Sequence, residues 1–126
     1  MLWYDCYMND ESIYITIAVI ALIIIDYISG VLAAAYNGEL SSRRMKEGLI
    51  KKLVYILIML TCYIIDFTSH KVDLGFTISL YVAVGVGIVL IEITSIFENC
   101  CKINPDITNS NILDIINKNH KDSKDK

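Results

Sequence analysis

Long runs of apolar residues alternate with short charged segments along this chain. The first run covers residues 12–36, and Asp26 is its one acidic or basic side chain. A helix of this length spans about 37 Å, whereas the hydrocarbon core of a bilayer is about 30 Å thick. The pattern therefore predicts a first transmembrane helix over residues 12–36.

Two further apolar runs follow the first. The second has a short uncharged centre, residues 53–65, and we predict that its helix extends to residue 69 to reach the headgroups. The third, residues 74–97, is uncharged up to Glu92. The prediction is an all-α integral membrane protein with transmembrane helices over 12–36, 53–69 and 74–97.

Polar segments separate these runs and flank them. They predict a short extracytoplasmic N-terminus, a basic cytoplasmic loop, an outer link and a cytoplasmic polar tail, at residues 1–11, 37–52, 70–73 and 98–126.

Basic residues are distributed asymmetrically between the two sides of this arrangement. Of the 11 lysines and arginines, five lie in the first loop and five in the tail, whereas the outer link contains Lys71 alone. Because cytoplasmic segments of membrane proteins are enriched in Lys and Arg, we expect the N-terminus outside and the C-terminus inside. The basic residues of the loop that set this orientation are Arg43, Arg44, Lys46, Lys51 and Lys52.

The composition supports a membrane protein and argues against several other classes. Hydrophobic residues make up 55% of the chain, and the net charge of -3, without a basic stripe, gives no support for a nucleic-acid partner. The four cysteines have no C-x-x-C spacing, and the two histidines lie in separate polar segments. We predict no catalytic residues, metal site or cofactor, and therefore no enzyme.

Three acidic residues fall within the predicted spans or at their edges and are candidates for polar or gating residues within the membrane: Asp26, Asp66 and Glu92. An ionised carboxylate at mid-membrane depth costs at least about 2.5–3.5 kcal/mol on insertion scales. Asp26 must therefore be protonated, be paired, or face other helices or water. Both a gating or pore-lining role and a buried, bonded position within one protomer are compatible with the sequence. For Glu92, extension of its side chain to the inner headgroups is the simpler interpretation.

Small residues predict where helices pack closely. Gly30, Ala33 and Ala34 lie beside or on the face of Asp26, and Ser79, Ala83 and Gly87 recur every four residues in the third span. A second stripe of the third span, including Tyr81, Glu92 and Asn99, is expected to meet water. The small faces are candidates for self-association, with ordinary packing inside one protomer as the alternative.

A longer pattern connects these residues to a known family. It is Asp26-x-x-x-Gly30-x-x-Ala33-Ala34-x-x-x-Gly38-x-Leu40-Ser41-Ser42-x-x-Met45-x-x-Gly48-x-x-Lys51-Lys52, with Asp66 and then Glu92-x-x-Ser95-Ile96-x-Glu98-Asn99. This pattern resembles the toxin secretion and phage lysis holins of low-GC Gram-positive bacteria and their phages. The chain departs from the family after Asn99, where it continues Cys100-Cys101-Lys102-Ile103-Asn104-Pro105.

The resemblance implies a multi-pass protein of the bacterial cytoplasmic membrane that forms homo-oligomers and opens lesions. A cell-wall hydrolase or a toxin would leave through these lesions as the passenger, and an antiholin is a further expected partner. Two alternatives remain at this stage. One is a small proton-coupled exporter that uses Asp26 or Glu92, and the other is an antiholin-type regulator of the same fold.

Overall fold

The described part of the chain consists of three α-helices. A computed structural model describes residues 10–75 and 79–107, and its helices are α1 (Asp10–Tyr36), α2 (Ser42–Lys71) and α3 (Leu80–Ile103). The predicted N-terminus and tail lie largely outside these residues. With 27, 30 and 24 residues, each helix is long and apolar enough to cross a membrane.

Local sequence signals account for both ends of the first connection. Gly38 has φ +70°, and the N–H groups of Gly38 and Glu39 donate to the carbonyl oxygens of Ala35 and Ala34 at 3.2 and 2.8 Å. This is the Schellman arrangement, in which a left-handed glycine ends a helix. The Ser41 hydroxyl then accepts the Arg44 N–H at 3.2 Å and caps α2.

The helix α2 begins earlier than the predicted second span. Only residues 37–41 separate α1 from α2, so most of the predicted basic loop, 37–52, is helical. The apolar run predicts a second span that begins at residue 53, directly after Lys51 and Lys52 at the headgroups. In the structure the Lys52 ammonium is bonded to carboxylates, which removes the reason for a helix boundary there.

The third helix also differs from its predicted bounds. It begins at Leu80 rather than at residue 74, and it continues beyond residue 97 to Ile103. Asn104 and Pro105 follow directly, and the residue before a proline disfavours the helical conformation.

The helix α3 is the central element of the bundle. It packs most extensively against α1 and less extensively against α2, whereas α1 and α2 make few contacts with each other. The core lies where the three helices meet and consists of Val19, Met59, Cys62, Tyr81 and Ile88. Large apolar side chains on the outside of all three helices remain exposed, as expected for surfaces that face lipid.

The two ends of the bundle differ in charge. At one end α1 finishes, α2 starts and α3 finishes, and we call this the basic end. Its basic side chains on the described residues are Arg43, Arg44, Lys46, Lys51 and Lys102. At the opposite end the described residues include a single lysine, Lys71, together with several acidic side chains.

Candidate functional site

One lysine holds two carboxylates in the interior of the bundle. The Nζ atom of Lys52 in α2 donates to both carboxylate oxygens of Glu92 in α3, at 2.7 Å each, and to the Asp26 carboxylate in α1. The side chains are 13% exposed for Lys52, 6% for Asp26 and 0% for Glu92. We call these three residues the charge cluster, and they link all three helices.

Neutral polar groups complete the surroundings of Asp26. The Asn99 amide donates to the Asp26 Oδ1 atom at 3.0 Å and to the Ser29 hydroxyl at 3.0 Å. Ser29 in turn donates to the Asp26 backbone carbonyl at 2.9 Å. These bonds fix α1 against the C-terminal half of α3 and leave no unbonded oxygen on the Asp26 carboxylate.

The three charged residues lie at the same depth along the bundle. At about 1.5 Å per residue, Asp26 is about 15 Å from the end of α1, Lys52 about 15 Å from the start of α2, and Glu92 about 16 Å from the end of α3. The expectation that Glu92 extends to the headgroups is therefore incorrect, because its carboxylate is buried on Lys52.

A cavity connects this cluster with the basic end. It has a volume of about 260 Å³ and is open towards the surface. Asp26 and Lys52 lie at its inner part, and its polar lining residues also include Asn37, Ser41, Asn99 and the charged Arg44, Glu39 and Lys102. Since one water molecule occupies about 30 Å³ in the liquid, the cavity is large enough for several waters.

The third acidic candidate, Asp66, is separate from this cluster. Its side chain is 1% exposed, and its two oxygens accept the backbone N–H groups of Leu80 and Tyr81 at 3.0 and 2.8 Å. Ser79 precedes α3 but makes no side-chain capping bond. The carboxylate of Asp66 in α2 therefore caps the positive N-terminus of α3 from a distance in sequence.

Tyr81 connects the helices at the end of the bundle opposite the basic end. Its hydroxyl and that of Thr16 in α1 are 2.5 Å apart, and its ring contacts Tyr63 in α2 edge to face with centroids 5.9 Å apart. Together with the Asp66 cap, this residue joins all three helices at a level far from Lys52.

Within the protomer, the two stripes of the third span face the reverse of the expected directions. The polar stripe faces the interior of the bundle, and the stripe of small residues faces outward. Tyr81 and Glu92 point inward, whereas Ala83 and Gly87 are exposed and Ser79 is half-buried. The close approach of α1 occurs at Gly85, where an added Cβ would lie 2.6 Å from the Ile15 Cγ1 atom. At Gly87 an added Cβ would meet nothing within 4 Å.

The small residues of α1 lie close to the charge cluster. Gly30, Ala33 and Ala34 all line the cavity, and Ala33 is buried. An added Cβ at Gly30 would lie 3.5 Å from the Asn99 Nδ2 atom, which is an ordinary contact distance. This face of α1 therefore packs inside the protomer, which was the alternative interpretation.

The topology-setting residues separate into two groups. Lys52 belongs to the charge cluster, whereas Arg43 and Arg44 form exposed ion pairs with Glu47 and Glu39 at 3.3 and 3.2 Å. Lys46 and Lys51 are exposed as well. Sequence reasoning missed Lys52 as a partner of Asp26, because the predicted bounds placed Lys52 in the loop, and the equal depth of Asp26, Lys52 and Glu92 follows only from the observed helix bounds.

The described residues contain no group of three or more His, Cys, Asp or Glu side chains arranged to hold a metal ion. The chemistry available at the charge cluster is therefore ion pairing, hydrogen bonding and proton binding by its carboxyl groups.

Comparisons with known proteins extend these observations. A model of the bacteriophage holin family matches residues 6–118. An uncharacterised protein of Listeria monocytogenes serovar 1/2a and one of Listeria innocua serovar 6a are each 30% identical over 112 residues, which is 85% of this chain and 75% of the relative. No solved structure matches the chain.

Three membrane-length helices with lipid-facing apolar surfaces define a multi-pass membrane protein. Because the family model covers most of the sequence, the chain belongs to the bacteriophage holin family. Proteins of this family are generally not enzymes.

Proposed function

We propose that this protein accumulates in the bacterial cytoplasmic membrane, self-associates and opens lesions through which a cell-wall hydrolase or a toxin leaves the cell. The observation that carries the proposal is the match to the bacteriophage holin family over residues 6–118. Residues 10–75 and 79–107 of a single protomer form no continuous lumen, because the apolar core around Val19, Met59 and Ile88 lies beyond the inner end of the cavity. Lesions thus require several copies.

The proposed orientation has the basic end in the cytoplasm, with the N-terminus and the α2–α3 link outside. It is supported by Arg43, Arg44, Lys46, Lys51 and Lys102, which lie at one end, compared with Lys71 at the other. Transfer of such positive charge across the membrane is disfavoured.

The proposed self-association surface is the outward stripe formed by Ala83 and Gly87 of α3, together with the half-buried Ser79 that directly precedes this helix. Ala83 and Gly87 are exposed in the protomer, and Gly87 has open space around it. Small side chains allow two helices to approach closely in a membrane. The face of α1 with Gly30, Ala33 and Ala34 lines the cavity and packs inside the protomer. We therefore place the contact between copies on α3.

Inducible expression in a bacterium, together with a cytoplasmic cell-wall hydrolase that has no signal peptide, tests the function. Membrane potential and hydrolase release are followed in the same culture. We expect depolarisation and release to occur together after a delay. Inserted protein that leaves both unchanged would contradict the proposal.

Two results would favour the alternatives instead. A protein that transports a cation in exchange for protons while the membrane potential persists would be an exporter. One that delays lysis by a co-expressed holin, and causes none itself, would be an antiholin-type regulator of the same fold.

The association surface is tested with Ala83→Leu and with Ala21→Leu as a matched control, the same substitution at an exposed position of α1. We expect Ala83→Leu to delay or abolish lysis and to change the crosslinked oligomers, with membrane insertion unchanged. If the Ala83 variant lyses cells on the wild-type schedule with the same oligomers, this surface is wrongly placed.

A further inference from the structure

The charge cluster contains an unequal number of acidic and basic groups. Asp26 and Glu92 both contact the ammonium of Lys52, so three fully ionised side chains would carry one net negative charge. All three are largely or wholly removed from the surface of the bundle.

No second cation balances this charge within residues 10–75 and 79–107. Arg44 of α2 lines the cavity but is paired with Glu39 at 3.2 Å, with both side chains more than half exposed. Lys102 of α3 also lines the cavity, and it makes no hydrogen bond to either carboxylate. The remaining polar neighbours of Asp26, Asn99 and Ser29, are neutral.

An uncompensated charge at this depth is unfavourable. The cluster lies about 15 Å from the helix ends, and an ionised acidic side chain at the centre of a membrane helix costs at least about 2.5–3.5 kcal/mol on insertion scales. The Asp26 and Glu92 carboxyl groups both accept hydrogen bonds from the Nζ atom of Lys52, and they are close enough to interact with each other. When two carboxyl groups share a site in this way, a proton bound by one of them relieves their repulsion.

We propose that the charge cluster is a proton-binding site that holds one proton between Asp26 and Glu92. With that proton bound, one carboxylate and the Lys52 ammonium balance each other, and the buried cluster is neutral. This inference concerns the single protomer and does not depend on lesion formation.

The cavity gives the site access to one side of the membrane only. It extends from Asp26 and Lys52 to the basic end and has room for several waters at its volume of about 260 Å³. Towards the opposite end, the apolar side chains of Val19, Met59 and Ile88 pack beyond the charge cluster. A second, apolar cavity there is lined by Val19 and Met59, and neither Asp26 nor Lys52 belongs to its lining. The bound proton therefore exchanges with the aqueous phase at the basic end.

Infrared spectroscopy of the full-length protein in lipid vesicles tests the bound proton directly. A protonated carboxyl group has a C=O stretching band that an ionised carboxylate lacks. At neutral pH we expect one such band per protomer in the wild type. We expect its loss in Asp26→Asn and in Glu92→Gln, because the remaining carboxylate then pairs with Lys52. A wild-type spectrum without this band at neutral pH would overturn the proposal.

Two further variants separate the proton site from general effects of mutation. Lys52→Met removes the ammonium, so we expect the band to double as both carboxyl groups bind protons. Asp66→Asn removes a buried carboxylate that accepts two backbone N–H groups at the opposite end, and we expect the band to be unchanged. A band that disappears in Asp66→Asn but persists in both Asp26→Asn and Glu92→Gln would contradict the assignment.

The access route is tested by changing the pH on one side of the vesicles. The orientation of the protein in the vesicles is determined by labelling Ser42→Cys at the basic end. The protein-to-lipid ratio is kept low, and an entrapped dye confirms that the vesicles do not leak. We expect the carboxyl band to respond quickly only when the pH changes on the basic-end side. A response from the opposite side alone, or an equal response from both, would contradict access through the cavity.

Discussion

The ammonium of Lys52 in α2 is 2.7 Å from each carboxylate oxygen of Glu92 in α3. The same ammonium reaches Asp26 in α1, and α1 and α2 otherwise make few contacts with each other. One side chain thus provides much of the connection between these two helices.

Replacement of Lys52 tests how far this connection stabilises the protomer. Lys52→Met removes the common cation, so both buried carboxyl groups bind protons and lose their bonds to the ammonium; a hydrogen bond to a charged group contributes about 1.5–3 kcal/mol. We expect a loss of this order in the free energy of unfolding, measured by loss of helix signal in mixed micelles. Lys51→Met is the matched control, because Lys51 is exposed. Equal stabilities of the two variants would show that the cluster contributes little.

The glycines of α3 provide a second comparison. Gly85→Ala introduces a Cβ 2.6 Å from the Ile15 Cγ1 atom, whereas Gly87→Ala introduces one into open space. Displacing packed side chains costs about 1–3 kcal/mol, so we expect Gly85→Ala to destabilise the protomer by this amount. Gly87→Ala should leave the free energy of unfolding of the protomer unchanged or raise it slightly, because alanine favours a helix more than glycine does. The reverse order would mean that α1 does not approach α3 at Gly85.

Asp66 is expected to protect the start of α3. Asp66→Ala removes the acceptor for the Leu80 and Tyr81 N–H groups, and loss of a helix cap costs about 0.5–2 kcal/mol. We expect faster hydrogen exchange at these two amides than in the wild type. Asp73→Ala is the control, since the exposed Asp73 side chain bonds only to the Gly75 N–H. Unchanged exchange at Leu80 and Tyr81 in Asp66→Ala would contradict the capping role.

Orientation is testable with single cysteines on a background that lacks the native ones. Ser42 at the basic end and Val72 at the opposite end are both exposed, which makes them a matched pair. In intact cells we expect a membrane-impermeant thiol reagent to label Val72→Cys and to spare Ser42→Cys. Permeabilised cells should show labelling of both. Labelling of Ser42→Cys from outside would reverse the proposed topology.

Helix content and the polarity of the two ends follow from the sequence because they depend on local composition. Apolar runs long enough to span a bilayer can satisfy their backbone hydrogen bonds only as helices in this setting, and all three appear in the structure. The end of α1 at Gly38 is equally local, since a glycine accepts the left-handed conformation at low cost. The start of α2 at Ser42 differs from the predicted start at residue 53, because the sequence alone does not show which charges are paired.

Sequence alone established that Asp26 must be protonated, be paired, or face other helices or water, since a charge in the membrane interior is too costly to leave uncompensated. The tertiary structure decided that Lys52 is the shared partner of Asp26 and Glu92. The packing of α1 and α2 on α3 brings residues 26, 52 and 92 to one level and turns the polar stripe of α3 inward. Likewise, only the packing distinguishes Gly85, where two helices touch, from Gly87, which faces outward. The physical reason is that helical periodicity fixes which residues share a face, whereas the direction of that face depends on contacts between segments distant in sequence.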